Sequence, residues 1–189
     1  MPASKLATVT TWYLQSLSPQ ELRPARLPTP APQIMRAEIA SPALNRFLYS
    51  AVGGDWHWTD RLSWNHARWL QYLDRPQVQT WVLYVRGTPA GYIELEAQDG
   101  GDVEIAYFGL MREFIGQGLG GHLLSVGIER AWAMSGTTPT RRVWVHTCSL
   151  DGAQALANYQ ARGLRIYRTE SVEKDVPETP GPWPGAYAT

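Results

Sequence analysis

The sequence predicts a mixed α/β fold of the α+β type: a single three-layer domain whose central mixed, mostly antiparallel sheet has six to seven strands and about four flanking helices. Two observations lead to this prediction. The elements read along the 189 residues follow the order β, α, α, β, β, β, α, β, α, β. Three strands joined by tight turns, followed by a β-α-β-α-β run, do not fit a doubly wound parallel sheet. The second observation is a glycine-dense turn between the last hairpin strand and the next helix.

The first part of the chain predicts one strand and two helices. Val9–Leu14 is strand-like in composition. The proline-rich segment 23–33 favours an extended connection, because each proline fixes its own φ and restricts the residue before it. Ala43–Val52 is predicted as a helix that Gly53-Gly54 ends. Thr59–Leu73 has apolar residues at helical spacing and stops at the next proline.

The rest of the chain alternates between strand and helix patterns. Hydrophobic strands separated by glycine-containing turns predict two hairpin connections, and helical periodicity predicts helices between the later strands. The predicted strands are Val78–Arg86, Gly91–Ala97, Val103–Leu110, Arg142–Cys148 and Leu164–Thr169. The predicted helices begin at the glycine-dense turn 116–121 and at Gly152, and the second runs to Arg162.

The composition excludes several classes of function. Lys+Arg is 17 and Asp+Glu is 17, so the net charge is +0 and no basic surface for nucleic acid is expected. The single cysteine excludes an internal disulfide. No apolar run approaches the ~18 residues of a membrane span, and the four histidines show no metal-ligand spacing. We therefore expect a cytoplasmic protein without metal, nucleic-acid or membrane partners.

The glycine-dense turn predicts a phosphate-binding site. Gly116, Gly118, Gly120 and Gly121 lie between a strand and a helix, where glycines let the backbone approach a ligand closely. The free N–H groups of the first helical turn then face an anion, with the helix dipole behind them. A close-packed turn without a ligand is the alternative, and the density of glycines disfavours it.

Two other nucleotide-binding motifs fit this turn less well. Gly116, Gly118 and Gly121 satisfy the G-x-G-x-x-G pattern of dinucleotide sites. However, residues 111–115 separate these glycines from the strand, and the preceding hairpins do not form the βαβ unit that such a site needs. A Walker A loop is excluded because His122-Leu123 stand where Lys-Ser/Thr would be required.

This turn and a second motif downstream resemble the GNAT superfamily of acyl-CoA-dependent N-acetyltransferases. The family signature Gln/Arg-x-x-Gly-x-Gly/Ala is matched by Ile115-Gly-Gln-Gly118-Leu-Gly120, in which the isoleucine is a departure. The family's Tyr-x-x-x-Gly-Phe ending is similar to Tyr159-Gln-Ala-Arg-Gly163-Leu164. The resemblance covers roughly Val78 to Arg168, and the two motifs in this order are more specific than either alone.

The resemblance implies a domain organisation and a reaction. Residues 1–175 would form one acyl-CoA N-acyltransferase domain, with acceptor-side helices at about 41–75 and a cofactor-binding core at about 78–170. Residues 176–189 would be a Pro/Gly-rich tail. The implied reaction is direct transfer of an acetyl group from acetyl-CoA (coenzyme A) to a primary amine. A non-catalytic acyl-CoA-binding sensor or scaffold, and a protein or peptide N-acetyltransferase, stay open as alternatives.

The resemblance also implies roles for individual residues. Tyr159 would be the general acid for the leaving sulfur, and Glu104 would be the general base. A core tyrosine and a paired strand carboxylate are the respective structural alternatives. The backbone of Phe108 and Leu110 would pair with the pantetheine arm as an added strand. The turn would hold the diphosphate, through Gly116, Gln117, Gly118, Leu119, Gly120 and Gly121.

The amine acceptor is expected against the segment before the sheet, which contains Trp56, Trp58 and Asp60. Aromatic rings with a carboxylate suit a small cationic or aromatic amine, although the two tryptophans would serve equally as core anchors. Glu94, on a neighbouring strand, is a weaker member of this set. Covalent catalysis by Cys148 is disfavoured, because a cysteine at a strand end is more often a small buried hydrophobe. We expect a small-molecule acceptor, and a homodimer is compatible with the sequence.

Overall fold

The computed structural model describes residues 4–134, 138–179 and 181–186, and it confirms the predicted fold class. Within these residues a seven-stranded mixed sheet carries four α-helices. The strands are β1 Ser4–Ser16, β2 Gln33–Ala37, β3 Val78–Val85, β4 Thr88–Ala97, β5 Asp102–Leu110, β6 Arg142–Cys148 and β7 Arg165–Pro177. The helices are α1 Pro42–Gly53, α2 His66–Leu73, α3 Leu119–Ala133 and α4 Ala155–Ala161.

The strand order in the sheet is β2-β3-β4-β5-β6-β1-β7. The pair β5 and β6 is parallel, and the other neighbouring strands are antiparallel. A parallel pair needs a crossover connection, and α3 supplies it between β5 and β6. The antiparallel hairpin β3–β4–β5 and this crossover meet at β5, which is therefore central to the site.

Helices cover both faces of the sheet, because successive residues of a strand point to opposite sides. On β4, Tyr92 is buried in a cluster with Leu48 and Val52 of α1. Its neighbour Ile93 is buried in the main core together with Leu124 of α3. The domain therefore has three layers with the sheet in the middle, as the sequence predicts.

Residues 59–65 form a loop, so the prediction that α2 begins there is wrong. The helix instead begins after Asn65, whose side-chain oxygen accepts a hydrogen bond from the Arg68 N–H at 2.9 Å. Tertiary contacts hold the loop in place: the Arg61 N–H donates to the Tyr49 hydroxyl at 3.2 Å. Contacts of this kind outweigh intrinsic helix preference.

The sheet has one strand that the sequence does not predict, and strands β1, β4 and β7 are longer than predicted. The unpredicted β2 is a short edge strand that pairs with β3 after the proline-rich segment. Strands β1 and β7 are both longer than predicted and pair with each other over most of their length. The predicted strand ends at Thr169; residues 170–175, which extend β7 beyond it, are exposed and show no clear alternation of apolar and polar residues. β7 runs through Pro177, and position 180 and residues 187–189 of the predicted tail lie outside the described residues.

Strands β5 and β6 pair along only part of their length. The paired positions are Asp102 with Arg142, Val103 with Val143 and Glu104 with Trp144. Beyond them, β5 continues to Leu110 beside β4, while β6 continues to Cys148 beside β1. The two strands therefore turn their facing edges towards a gap, where backbone N–H and C=O groups are available to a ligand.

Candidate functional site

A cavity of about 1060 Å³ occupies this gap. One end reaches the glycine-dense turn and α4, where Gly116, Gly120 and Tyr159 line the wall. The middle follows β5 from Ile105 to Leu110. The other end is formed by the loop 56–61 and by the C-terminal part of β7. The cavity thus joins a backbone-rich end to an end that is rich in charged and aromatic side chains.

The glycine-dense turn has the backbone conformation that only glycine adopts readily. Gly116 has φ +83° and Gly118 has φ +76°, and a Cβ added to either would meet no atom within 4 Å. Gly118 is the residue before α3, and its backbone leaves the first-turn N–H groups of that helix without intrahelical partners. This combination of open space, free donors and a helix dipole fits an anionic ligand.

The other predicted cofactor residues divide into two groups. Phe108, Leu110 and Gly121 line the cavity, as do Gly116 and Gly120. Gln117, Gly118 and Leu119 do not belong to the lining. The Leu119 side chain is buried in the main core, and the Gln117 amide donates back to the Glu113 carbonyl at 2.8 Å. These three positions therefore offer backbone groups only.

Tyr159 is buried at the edge of the cavity. Its ring meets the edge of Phe108 at a centroid distance of 5.8 Å, so α4 and β5 fix its position together. Burial raises the pKa of the phenol well above its usual range, and the Asp151 charge adds to this effect. The hydroxyl therefore stays protonated and can act as a hydrogen-bond donor at any ordinary pH.

Glu104 lies where β5 and β6 begin to part, and its side chain is largely buried against the cavity. One carboxylate oxygen, Oε2, accepts a hydrogen bond from the Gln98 amide at 2.8 Å. The other, Oε1, lies 3.4 Å from Nδ1 of His146. The hydrogen bond with Glu104 raises the pKa of His146, and the charges of Asp151 and Asp60 raise it further. Burial acts in the opposite direction but is outweighed.

The loop 54–65, named the acceptor loop after the role that the sequence predicts for it, brings Trp56, Trp58 and Asp60 to the cavity. The Trp58 ring also packs edge-on against Tyr107 at 4.8 Å, so it serves as a core anchor and as part of the wall. Trp56 lies against the opposite wall, where a Cβ on Gly152 would meet its ring at 3.5 Å. Aromatic rings and a carboxylate therefore face the same space.

Glu94 lies outside the cavity lining. Its Oε1 atom forms an ion pair with Arg61 at 2.7 Å and accepts from the Tyr72 hydroxyl at 2.8 Å, and both charged side chains are buried. The Arg61 guanidinium also lies 4.1 Å from the centroid of the Tyr72 ring and 4.4 Å from that of Tyr107. This arrangement ties the acceptor loop to β4 and gives Glu94 a positioning task.

Sequence reasoning missed two parts of the site. The sequence shows no metal-ligand spacing at His146 and predicts no role for it, yet this residue lines the cavity beside Glu104. No sequence signal singles out Arg61. The alternation on β6 places Val143, Val145 and Thr147 in the core, which leaves His146 on the opposite face. The alternation along β6 can be read from the sequence, whereas the pairing that brings Glu104 of β5 to His146 cannot.

Other chemistry receives less support. Burial raises the pKa of the Cys148 thiol, and the nearby Asp151 charge adds to this, so its thiolate is disfavoured. In the described residues no group of three or more His, Cys, Asp or Glu side chains could hold a metal ion. No helix in the part of the chain that the structure describes is long and apolar enough to cross a membrane.

Comparison with solved structures shows what the fold is similar to. A GCN5-related N-acetyltransferase from Kribbella flavida has 20% identity and a TM-score of 0.62, with 91% of this chain and 60% of that chain covered. One from Sphaerobacter thermophilus has 18% identity and a TM-score of 0.61, with 96% and 54% covered. A tandem GNAT protein from the clavulanic acid biosynthesis pathway has 14% identity and a TM-score of 0.52, with 91% and 55% covered.

These solved structures agree with the observed architecture, and this chain spans between 54% and 60% of the length of the three structures described. No curated protein matches the chain. The model of the Acetyltransferase (GNAT) family matches residues 44–164, which include the acceptor loop, the glycine-dense turn and Tyr159. The chain therefore belongs to the GNAT family of acetyltransferases.

Proposed function

We propose that this protein is an acetyl-CoA-dependent N-acetyltransferase that moves an acetyl group directly to a primary amine of a small cationic molecule. The observation that carries the proposal is the single cavity that joins a phosphate-binding turn to an acidic and aromatic end. We expect the reaction in the cytoplasm, without a metal.

The residues at the first end fit the nucleotide half of acetyl-CoA. The free N–H groups at the start of α3 would hold the diphosphate, and the open space above Gly116 and Gly118 admits it. The unpaired edge of β5 at Phe108 and Leu110 would bind the amide groups of the pantetheine arm. Acetyl-CoA supplies an already activated thioester, so the protein needs only to position the two reactants and move protons.

Two groups in the cavity lining would move the protons of the reaction. Tyr159, at the edge of the cavity, would supply the departing sulfur with a strong hydrogen bond or a proton from its hydroxyl. A base on the Glu104 side of the cavity would take the proton that the amine loses. The two groups come from different elements, α4 and β5, and both line the same cavity.

The charges at the second end favour a cationic acceptor. Five carboxylates belong to the cavity lining: Asp60, Glu96, Glu104, Asp151 and Asp175. The fixed cations of the lining are Arg61 and Lys174, and the charge of Arg61 is already balanced by Glu94. Glu96 is likewise paired with Arg75 at 2.8 Å, which leaves Asp60, Glu104, Asp151 and Asp175 against Lys174. This remaining negative charge, together with the rings of Trp56 and Trp58, suits an amine that carries a second cationic or aromatic group.

The proposal is tested by ligand binding followed by turnover. Acetyl-CoA and coenzyme A should raise the melting temperature, whereas NAD should not, because a ligand that binds the native state stabilises it. Release of free thiol from acetyl-CoA should then depend on an amine chosen from a panel of mono- and dicationic compounds. Stabilisation by NAD alone would contradict the proposal. Stabilisation by acetyl-CoA without thiol release across the panel would favour the acyl-CoA sensor.

A matched pair of variants tests the turn itself. Gly116 and Gly100 have nearly the same φ, +83° and +82°, and a Cβ on either meets nothing within 4 Å. Gly100 lies in the β4–β5 turn, away from the cavity lining. We expect Gly116→Val and Gly100→Val to carry similar backbone strain, on the order of 1–3 kcal/mol. Only Gly116→Val should abolish the rise in melting temperature that acetyl-CoA causes. If Gly116→Val keeps this rise, or if Gly100→Val loses it to the same extent, the effect is not specific to the turn and the proposed phosphate site is wrong.

A further inference from the structure

A series of polar contacts runs from Trp144 through Gln98 and Glu104 to His146, at the point where β5 and β6 separate. The Trp144 indole N–H donates to the Gln98 side-chain oxygen at 3.1 Å. The Gln98 amide N–H in turn donates to Glu104 Oε2 at 2.8 Å. Glu104 Oε1 faces His146 Nδ1 at 3.4 Å. Each group holds the next in place, and the series ends at an imidazole in the wall of the cavity.

Each oxygen of the Glu104 carboxylate faces a protein group, which fixes the orientation of the carboxylate. His146 is the more accessible of the two side chains, with 49% of its surface exposed against 15% for Glu104. Its Nδ1 atom faces the carboxylate and can donate to it, so Nε2 is the ring nitrogen left to meet a substrate. A carboxylate that orients an imidazole in this way selects the tautomer with an accepting Nε2.

Building on the proposed acetyl transfer, we propose that His146 is the base that takes the proton from the acceptor amine, and that Glu104 is its positioning residue. In this step the amine nitrogen bonds to the acetyl carbonyl carbon and the carbon–sulfur bond breaks. The proton lost by the nitrogen moves to Nε2 of His146, while the Tyr159 hydroxyl gives its proton to the sulfur. The products are the N-acetyl amine and the free thiol, so atoms and charges balance once the two side chains exchange protons with water.

The surroundings of His146 suit this task. Carboxylates face it from three directions: Glu104 on β5, Asp60 on the acceptor loop and Asp151 beyond the end of β6. The Tyr13 ring of β1 lies 6.0 Å from the imidazole, and Lys174 of β7 lines the same cavity. The net effect raises the pKa of His146, with the hydrogen bond to Glu104 as the largest contribution. A raised pKa makes the imidazole a stronger base, and the protonated ring that forms is stabilised by the carboxylates.

The first measurement does not depend on turnover. The ring proton resonances of the histidines are followed by NMR against pH in the wild type and in Glu104→Gln. Removing the carboxylate charge should shift the His146 titration to lower pH, because Glu104 raises its pKa. The His66 titration serves as an internal control, since that exposed residue of α2 lies outside the cavity lining. An unchanged His146 titration would overturn the positioning role of Glu104.

The second measurement uses kcat/KM against pH, corrected for the fraction of neutral amine. His146→Gln should lower kcat/KM by roughly 10²–10⁴ and remove the fall in rate at acidic pH. Glu104→Gln should keep that fall and move it to lower pH, while His66→Gln should match the wild type. Acetyl-CoA should still raise the melting temperature of His146→Gln, so that a lost base is distinguished from a lost substrate site.

The outcomes separate the two proposals. If His146→Gln keeps the wild-type rate and acidic fall, His146 is not the base, and the proposed acetyl transfer still stands. If the wild-type protein neither binds acetyl-CoA nor releases thiol, the proposed function fails and the role of His146 falls with it.

Discussion

Burial decides what the Tyr159 hydroxyl can do. A phenol in water loses its proton near pH 10, but burial raises the pKa of Tyr159 well above that range. The side chain therefore remains a donor wherever the protein is folded. Its ring packs edge-on against Phe108 on β5, so α4 and β5 together fix the position of this donor in the cavity wall.

Tyr159→Phe tests this role, because only one hydroxyl is lost. We expect kcat to fall by roughly 10²–10⁴, with the affinity for acetyl-CoA nearly unchanged. Because the pKa is raised, loss of this proton should cause no fall in wild-type activity as pH rises towards 10. The matched control is Tyr167→Phe on the exposed face of β7. Unchanged turnover in Tyr159→Phe, with chemistry rate-limiting, would leave Tyr159 as a packing residue.

At the scale of elements, a buried ion pair fixes the acceptor loop to the sheet. Arg61 belongs to the loop and Glu94 to β4, and both side chains are almost completely removed from water. Burial alone would lower the pKa of Arg61, but the attraction and hydrogen bond of Glu94, together with Tyr72 and Tyr107, outweigh it and the net pKa is raised. Asn45 of α1 donates to the second Glu94 oxygen at 3.3 Å, so three elements meet at this carboxylate.

Glu94→Gln should therefore destabilise the fold strongly, because it leaves the Arg61 charge buried without a counter-ion. We expect a loss of about 3–5 kcal/mol in the free energy of unfolding, measured by urea titration. Glu170→Gln is the matched control: it breaks the exposed pair with Arg168 on β7 and should leave the unfolding curve unchanged. Equal effects in the two variants would mean that water reaches Arg61 freely.

At the scale of the whole molecule, the C-terminal segment returns to the acceptor loop. The Gly181 N–H donates to the Gly54 carbonyl at 3.1 Å, on the first residue of that loop. A Cβ added to Gly54 would overlap the backbone of Gly181 and Pro182. After the end of β7 has contributed to the cavity lining, the chain therefore packs against the start of the acceptor loop.

Gly54→Ala should push this segment away without straining its own backbone, which has an ordinary right-handed conformation. We expect the KM for the best amine acceptor to rise by roughly tenfold, or about 1.4 kcal/mol, with the Kd for acetyl-CoA unchanged. Gly185→Ala changes the same segment at a position where a Cβ meets nothing within 4 Å. Its φ of +77° makes that variant strained, but it adds no overlap with the acceptor loop, so it should keep the wild-type KM. A rise in both variants, or in neither, would show that this contact does not shape the acceptor site.

Much of the fold and of the cofactor end of the site follows from local sequence signals. The glycines at 116–121 require positive φ or close approach, and the structure shows positive φ at Gly116 and Gly118. Alternation of apolar residues also predicts the hairpin strands, and helical spacing predicts the helix α3. These signals act within a few residues, so they can be read without knowing what the rest of the chain does. Tyr159 and Glu104 came from the family resemblance, and their roles stay predictions.

Only the tertiary structure decides which distant groups meet. The parallel register of β5 and β6 brings His146 to Glu104, and nothing local to either strand sets that register. Residues 59–65 have a helical pattern, yet the buried pair of Arg61 with Glu94 holds them as a loop. The end of the cavity at the loop 54–65 is built from such long-range contacts, whereas the other end is built from one continuous glycine-dense turn. For that physical reason the sequence alone determines the fold class and the glycine-dense turn, while the tertiary structure decides which side chains meet at the other end of the cavity.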